Sequence, residues 1–286
     1  MTLSMLYLGC PQWSSNHWKG RVFSTHCKSA DMLSEYSRIF NSVEGNTSFY
    51  ADPSPATIHN WKAKVPNDFR FTFKLPQRIS HQMALTGIKG ELTQWLILFE
   101  PLFEHTGSFM LQLPKSFSPD YLARLAAFID LWPSNLPLAI EVRHLGFFQK
   151  DAREKQFNRL LMTHNIDRVV MDTRALFSEP ASTDAIIDAQ NKKPRVPVNV
   201  IATGTRPIVR FVGCSKLENN LNFYLPWLKK LKYWQDEGKT PYVFFHTADN
   251  HDSAHLARQF CQDGGIAHPV LNPFPSEKEA NQSSLF

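Results

Sequence analysis

Long apolar runs are missing from this chain of 286 residues, and none approaches the roughly 18 apolar residues that a bilayer-spanning helix requires. The opening, Met1 to Cys10, has neither the basic start nor the extended apolar core of a secretory signal. These absences lead us to expect a soluble, cytoplasmic protein with no membrane association. Cysteine is scarce: Cys10, Cys27, Cys214 and Cys261 are the four copies, and their spacing fits neither a disulfide framework nor a paired zinc motif. Reduced, structural thiols are therefore expected, and Cys10 has no local base that would make it a nucleophile. No G-x-G-x-x-G turn follows the first apolar run, where the chain reads GCPQWSS, which argues against an open dinucleotide-binding sheet. A serine nucleophile elbow and the H-E-x-x-H zinc motif are also missing.

What is present is apolar, aromatic and mildly basic. Hydrophobic residues make up 43% of the chain, with 22 phenylalanines inside the apolar runs, enough for a large core. Lys and Arg total 31 against 26 Asp and Glu, a formal charge of +5 that favours an anionic partner. Lys192, Lys193 and Arg195 form the one tight basic cluster, so nucleic acid binding through the 192–206 region is an alternative to a small-molecule role.

Short apolar runs alternate with helical stripes from end to end. The strand candidates are Met5 to Gly9, the segment from Ser42, Arg70 to Leu75, Ser108 to Leu113, Leu138 to Arg143, Arg168 to Asp172, Pro207 to Val212 and Tyr242 to Thr247. Pro76 and Pro114 stop the third and fourth, since proline cannot donate to a ladder. Helical stripes separate them, for example Leu33, Tyr36 and Phe40, or Leu122, Leu125, Phe128 and Ile129. Such alternation predicts a TIM (β/α)8 barrel, and about 250 residues suffice for one, so residues 1–286 are read as a single domain. The 175–206 interval is the least regular: it either hides short helices or serves as an active-site loop. The tail after Pro273 reads as frayed.

Parallel strands of a barrel bring the polar residues at their carboxyl ends to one mouth. That places Glu44, Asn46, Lys74, Gln112, Glu141, Arg143, His144, Asp172, Arg210 and His246 together. Glu141 and Arg143, two apart, share a strand face, as do Glu44 and Asn46. Glu44, Glu141, His144, Asp172 and His246 are the catalytic candidates, with the two glutamates as an acid/base pair. Arg143 and Arg210 are candidate clamps for a carboxylate or phosphate, aided by the loop Thr203 to Arg206. Trp13, Trp18, Phe49 and Tyr50 can form an aromatic rim for a sugar or base. The lead reading is a pocket for an anionic or sugar-like small molecule. Metal-dependent phosphoester hydrolysis remains an alternative, but the dispersed carboxylates name no metal and no cofactor.

Several segments in order resemble a known family. GCPQWSSNHWKG (Gly9 to Gly20), FNSVEGNTSFY (Phe40 to Tyr50), FRFTFKLP (Phe69 to Pro76), EVRHLGFF (Glu141 to Phe148), RFVG (Arg210 to Gly213) and YVFFHTADN (Tyr242 to Asn250) are similar to the DUF72 family of YecE-like proteins. Glu44, Asn46 and Tyr50 match its E-x-N-x-x-F/Y segment, and Glu141, Arg143 and His144 its E-F-R-H segment. The chain departs from that pattern at Val142, at Gly146 and Phe147, and at His246 and Thr247. The resemblance implies a TIM barrel and bacterial cytoplasmic relatives, and no established activity.

Overall fold

Apolar runs closed by proline, glycine or a charged residue become strands, and the stripes between them become helices. The computed structural model describes residues 5–283; residues 1–4, part of the leader reading, and the last three residues of the tail lie outside the described residues. In chain order the elements are β1 (Tyr7–Gly9), α1 (Met32–Ile39), β2 (Ser42–Gly45), α2 (Pro55–Ala63), β3 (Arg70–Lys74), α3 (Lys89–Phe99), β4 (Thr106–Gln112), α4 (Leu122–Leu131), β5 (Leu138–Glu141), α5 (Ala152–Thr163), β6 (Asp167–Arg168), β7 (Val170–Asp172), α6 (Asp184–Lys192), β8 (Ile208–Val212), α7 (Leu221–Asp236), β9 (Tyr242–His246), α8 (Ser253–Gly264) and α9 (Pro275–Ser283). Several helices begin where a side chain accepts an otherwise unpaired amide. Ser54 takes the Thr57 N–H before α2 at 3.1 Å, and Asp151 takes the Glu154 N–H before α5 at 3.0 Å. Among the described residues no helix is long and apolar enough to cross a membrane.

The fold is α/β, and every strand pairing is parallel. The ladders make a four-stranded sheet, β1-β9-β8-β7, and a five-stranded sheet, β2-β3-β4-β5-β6. The expected closed barrel is thus observed as two hydrogen-bonded sheets, and side chains explain one of the two breaks. Between β1 and β2 the Asn41 amide replaces the ladder, accepting from the Leu8 N–H at 2.8 Å and donating to the Leu6 carbonyl at 2.9 Å. Tyr36 Oη likewise accepts from the Cys10 N–H at 2.8 Å and donates to the Ser42 carbonyl at 2.9 Å. At the other break the chain passes from one sheet to the other at Val169, whose N–H donates to the Ile140 carbonyl at 3.0 Å. The expected strand Arg168 to Asp172 is therefore the pair β6 and β7.

Alternation sends one set of side chains toward the helices and the other to the opposite face. The main core runs from Leu6 to Phe274 and includes Val43, Phe71, Phe73, Phe109, Phe211 and Phe245 beneath the helices. A second buried cluster draws Tyr7, Ile208, Tyr242 and Phe244 from the four-stranded sheet and Met110 and Ala139 from the five-stranded one. Tyr7 and Tyr242 stack there with centroids 4.6 Å apart.

Two expectations change. The irregular 175–206 interval contains α6, whose Ala189 packs with Met171, Leu176 and Val212 over the strand ends. The segment after Pro273 is anchored by a fully buried Phe274, and Arg258 pairs with Glu277 at 2.7 Å, so helix α9 replaces the frayed reading.

Candidate functional site

Arg210 lies in the middle of β8, faces away from the helix layer, and is 2% exposed. A buried guanidinium cannot shed its proton, so it must be met by anions. Glu44, from β2, receives it bidentately: Nε to Oε2 and Nη2 to Oε1, each 2.6 Å. Its remaining nitrogen, Nη1, donates to Glu141 Oε2 at the end of β5. Arg143 completes Glu141, with Nε 2.7 Å from Oε1, and reaches Gln112 Oε1 at 2.6 Å. Asn46 Nδ2 donates to Glu44 Oε1 at 2.7 Å and to the Pro11 carbonyl at 3.0 Å.

His246, at the end of β9, sets its Nε2 3.4 Å from Glu44 Oε2. Nε2 makes no hydrogen bond among the described residues. Its Nδ1 lies 3.5 Å from Lys193 Nζ, which descends from the end of α6. Lys74, the last residue of β3, places Nζ 4.0 Å from the centroid of the Phe49 ring. Seven of the ten strand-end candidates thus share one network, with Lys74 electrostatically coupled to it.

The network sets its own protonation. Burial alone would raise Glu44, but the charges of Arg210 and then His246 leave it well below the ordinary carboxylate range. Glu141 likewise falls to about 2, burial being outweighed by Arg210 and Arg143. Burial would lower Arg210, yet the two carboxylates raise it. Lys74 drops to about 7, through burial and then the charge of Arg210, and Lys193 to about 8 for the same two reasons. His246 falls to about 4, by burial and then Lys193, so it is neutral at pH 7.

Several expectations need correction. Glu44 and Glu141 are both engaged by Arg210, which favours their ionised forms, so the arrangement speaks against the expected acid/base pair. Asp172 faces the helix layer in register with Phe211, where its carboxylate takes Arg174 at 2.7 Å and Trp227 Nε1 at 2.8 Å. His144 Nδ1 accepts the Gly146 N–H at 3.0 Å, closing the turn after β5 rather than joining the carboxylate–arginine network. Trp18 is fully buried, stacked with Tyr36, and donates to the carbonyls of Asn250 and His251, so it is no rim. The Thr203 to Arg206 loop precedes β8 and lies at the amino ends of the strands, tied to Asp167 and to the Arg168 N–H rather than to the mouth. Lys192 pairs with Asp188 at 2.8 Å, Lys193 points inward and Arg195 covers Phe177, so the basic run presents no joint face. Cys10 is fully buried and its thiol is pushed up to about 12, in keeping with the structural thiol expected. Among the described residues no three His, Cys, Asp or Glu side chains come together as a metal site.

Two openings flank the network. One, of about 550 Å³, is lined by Trp13, Tyr50, Trp61, Asn46 and Glu44. Trp13 meets Trp61 edge-on at 5.1 Å, and Tyr50 is 73% exposed, so two of the four expected aromatics face this cleft, while Phe49 is buried like Trp18. The other, of about 310 Å³, is lined by Lys115, Arg143, His144 and Arg195. Trp61, Lys115 and Lys193 were not legible as site residues, because the path of α2, the turn after β4 and the end of α6, rather than any local motif, bring them here.

The comparisons with known proteins agree with this architecture. The family described as "Protein of unknown function DUF72" matches residues 7–280. The UPF0759 protein YecE of Escherichia coli (strain K12) is 38% identical over 282 residues, covering 99% of this chain and 100% of the relative. A DUF72 family protein from Thermotoga maritima MSB8 superposes with a TM-score of 0.69 at 25% identity, covering 91% of this chain and 98% of that one. Another, from Enterococcus faecalis V583, gives 0.70 at 22% identity over 92% and 99%, and speaks for the fold alone. By sequence over nearly its whole length and by architecture, the chain belongs to the DUF72 family.

Proposed function

We propose that the protein binds a small anionic molecule, phosphorylated or sugar-like, at the carboxyl ends of a (β/α)8 barrel formed by the whole chain as one domain. The single observation carrying this reading is a charge imbalance. Arg210, Arg143, Lys74 and Lys193 converge where Glu44 and Glu141 are the carboxylates that answer them. Buried cations in excess are costly, and a bound anion relieves that cost. Arg143, 16% exposed in its side chain, offers the guanidinium edge nearest solvent.

The barrel reading is supported by the inner cluster drawn from both sheets and by the side-chain bridges at Asn41 and Tyr36. Trp13, Trp61 and Tyr50 give a sugar ring apolar faces beside Asn46. In this reading Glu44 and Glu141 position the arginine rather than exchange protons.

Thermal unfolding at constant ionic strength tests it. Phosphate or sulfate should raise the melting temperature relative to chloride, and Arg143→Gln should reduce the rise at least severalfold. No rise with either anion, or an equal rise in the variant, overturns the reading.

A further inference from the structure

At the mouth the carboxylates leave the Lys74 ammonium without a partner among the described residues. Lys74 Nζ has neither a hydrogen bond nor an ion pair among the described residues; the Phe49 ring at 4.0 Å is its contact. Glu44 and Glu141 are instead taken by the guanidiniums of Arg210 and Arg143. Arginine stays charged in proteins, whereas a lysine beside it can rest as the free amine. Lys74 also keeps 6% of its surface exposed, while Glu44 and Glu141 keep none.

A histidine stands against the same ring. The π-helical turn Arg78–Gln82 after β3 is fixed by Arg78, which binds Asp52 at 2.7 Å and Glu91 at 2.7 Å. It packs the His81 ring edge-on to Phe49, centroids 5.2 Å apart. His81 Nδ1 is engaged with Ser80 Oγ at 2.8 Å, and Nε2 has no partner among the described residues. Burial, then the charge of Lys74, lowers the His81 pKa, which favours the neutral ring.

We infer that Lys74 forms an imine with a small aldehyde or ketone that also carries a carboxylate or phosphate. The Nζ lone pair attacks the carbonyl carbon and a C–N bond forms. The proton leaving nitrogen reaches the former carbonyl oxygen by way of His81. A second proton, taken from solvent by way of His81, lets that oxygen leave the carbinolamine as water, giving the protonated imine with no change in oxidation state. Arg143, whose guanidinium keeps some exposure, holds the anionic end, and in that respect the inference rests on the anion-binding reading. The lowered pKa of Lys74, about 7, supplies the free amine that the attack needs.

Reductive trapping of the full-length protein tests it, with pyruvate as the probe and cyanoborohydride as the hydride donor at pH 7.5. Peptide mapping should find one N-carboxyethyl group on Lys74, formed on the order of a hundredfold faster than on ordinary lysines, whose amines are almost wholly protonated there. Lys74→Met should abolish that adduct, and mapping of the unaltered protein decides the site even if the variant fails to fold. Label spread over surface lysines, or none at Lys74, overturns the inference. Lactate, which has no carbonyl, separates the two claims. Saturable lactate binding without trapping of pyruvate removes the imine and leaves the anion site, whereas absence of both removes both.

Discussion

Arg210 is a fixed charge in a layer of side chains that water does not reach, so its partners decide whether the strands around it can pack. Glu44 comes from β2 and Glu141 from β5, so one guanidinium joins β8 of one sheet to two strands of the other. Replacing Arg210 leaves two ionised carboxylates without their main counter-charge. Arg210→Met should therefore destabilise the protein by about 3–5 kcal/mol in urea unfolding. A loss under about 1 kcal/mol would mean the network is not what holds these strands together. At this scale the sequence revealed which residues would meet but not how. The strand-end position of Glu44, Glu141 and His246 was readable from short apolar runs and parallel order. The loss of the acid/base pair was not, because it depends on Arg210 lying between carboxylates from strands far apart in sequence. Asp172 misled for a simpler reason: it ends a strand, yet the break at Val169 and the register with Phe211 turn it to the helix layer.

At the level of elements, the join between β1 and β2 depends on close backbone approach. A Cβ on Gly9 would sit 2.1 Å from the Ser42 carbonyl oxygen, and neither strand can yield without breaking the Tyr36 and Asn41 bridges. Gly9→Ala should cost about 1–3 kcal/mol, as overpacking does, although a helix or loop glycine would tolerate the change. Thermal unfolding of the variant measures this, and an unchanged midpoint would mean that the two strands are not so close. Strands were the most legible elements, since proline after Leu75 and Leu113 marks their ends in the sequence. Helix α6 was hidden because its amphipathic side is short, with Ile186 and Ala189 as the buried residues, and lies among prolines and polar residues. Its consequence was hidden too. Lys193 looked like part of a basic surface run, but the end of α6 delivers it to His246.

Over the whole molecule, two lysine amines are desolvated beside Arg210, and proton linkage makes that desolvation measurable. Lys74 and Lys193 are lowered to about 7 and about 8, each by burial first and then by Arg210, so at pH 8 both carry fewer protons than ordinary lysines. A bound anion favours their charged forms and raises both values, so binding must draw protons from the buffer. The uptake should be largest near pH 8 and small at pH 6, where both amines are already protonated. Titration calorimetry of phosphate into the protein, in two buffers of different ionisation enthalpy at pH 8, measures this directly. The account predicts saturable binding whose heat differs between the buffers in the sense of proton uptake. Absence of saturable binding, or identical heats in both buffers, would contradict it.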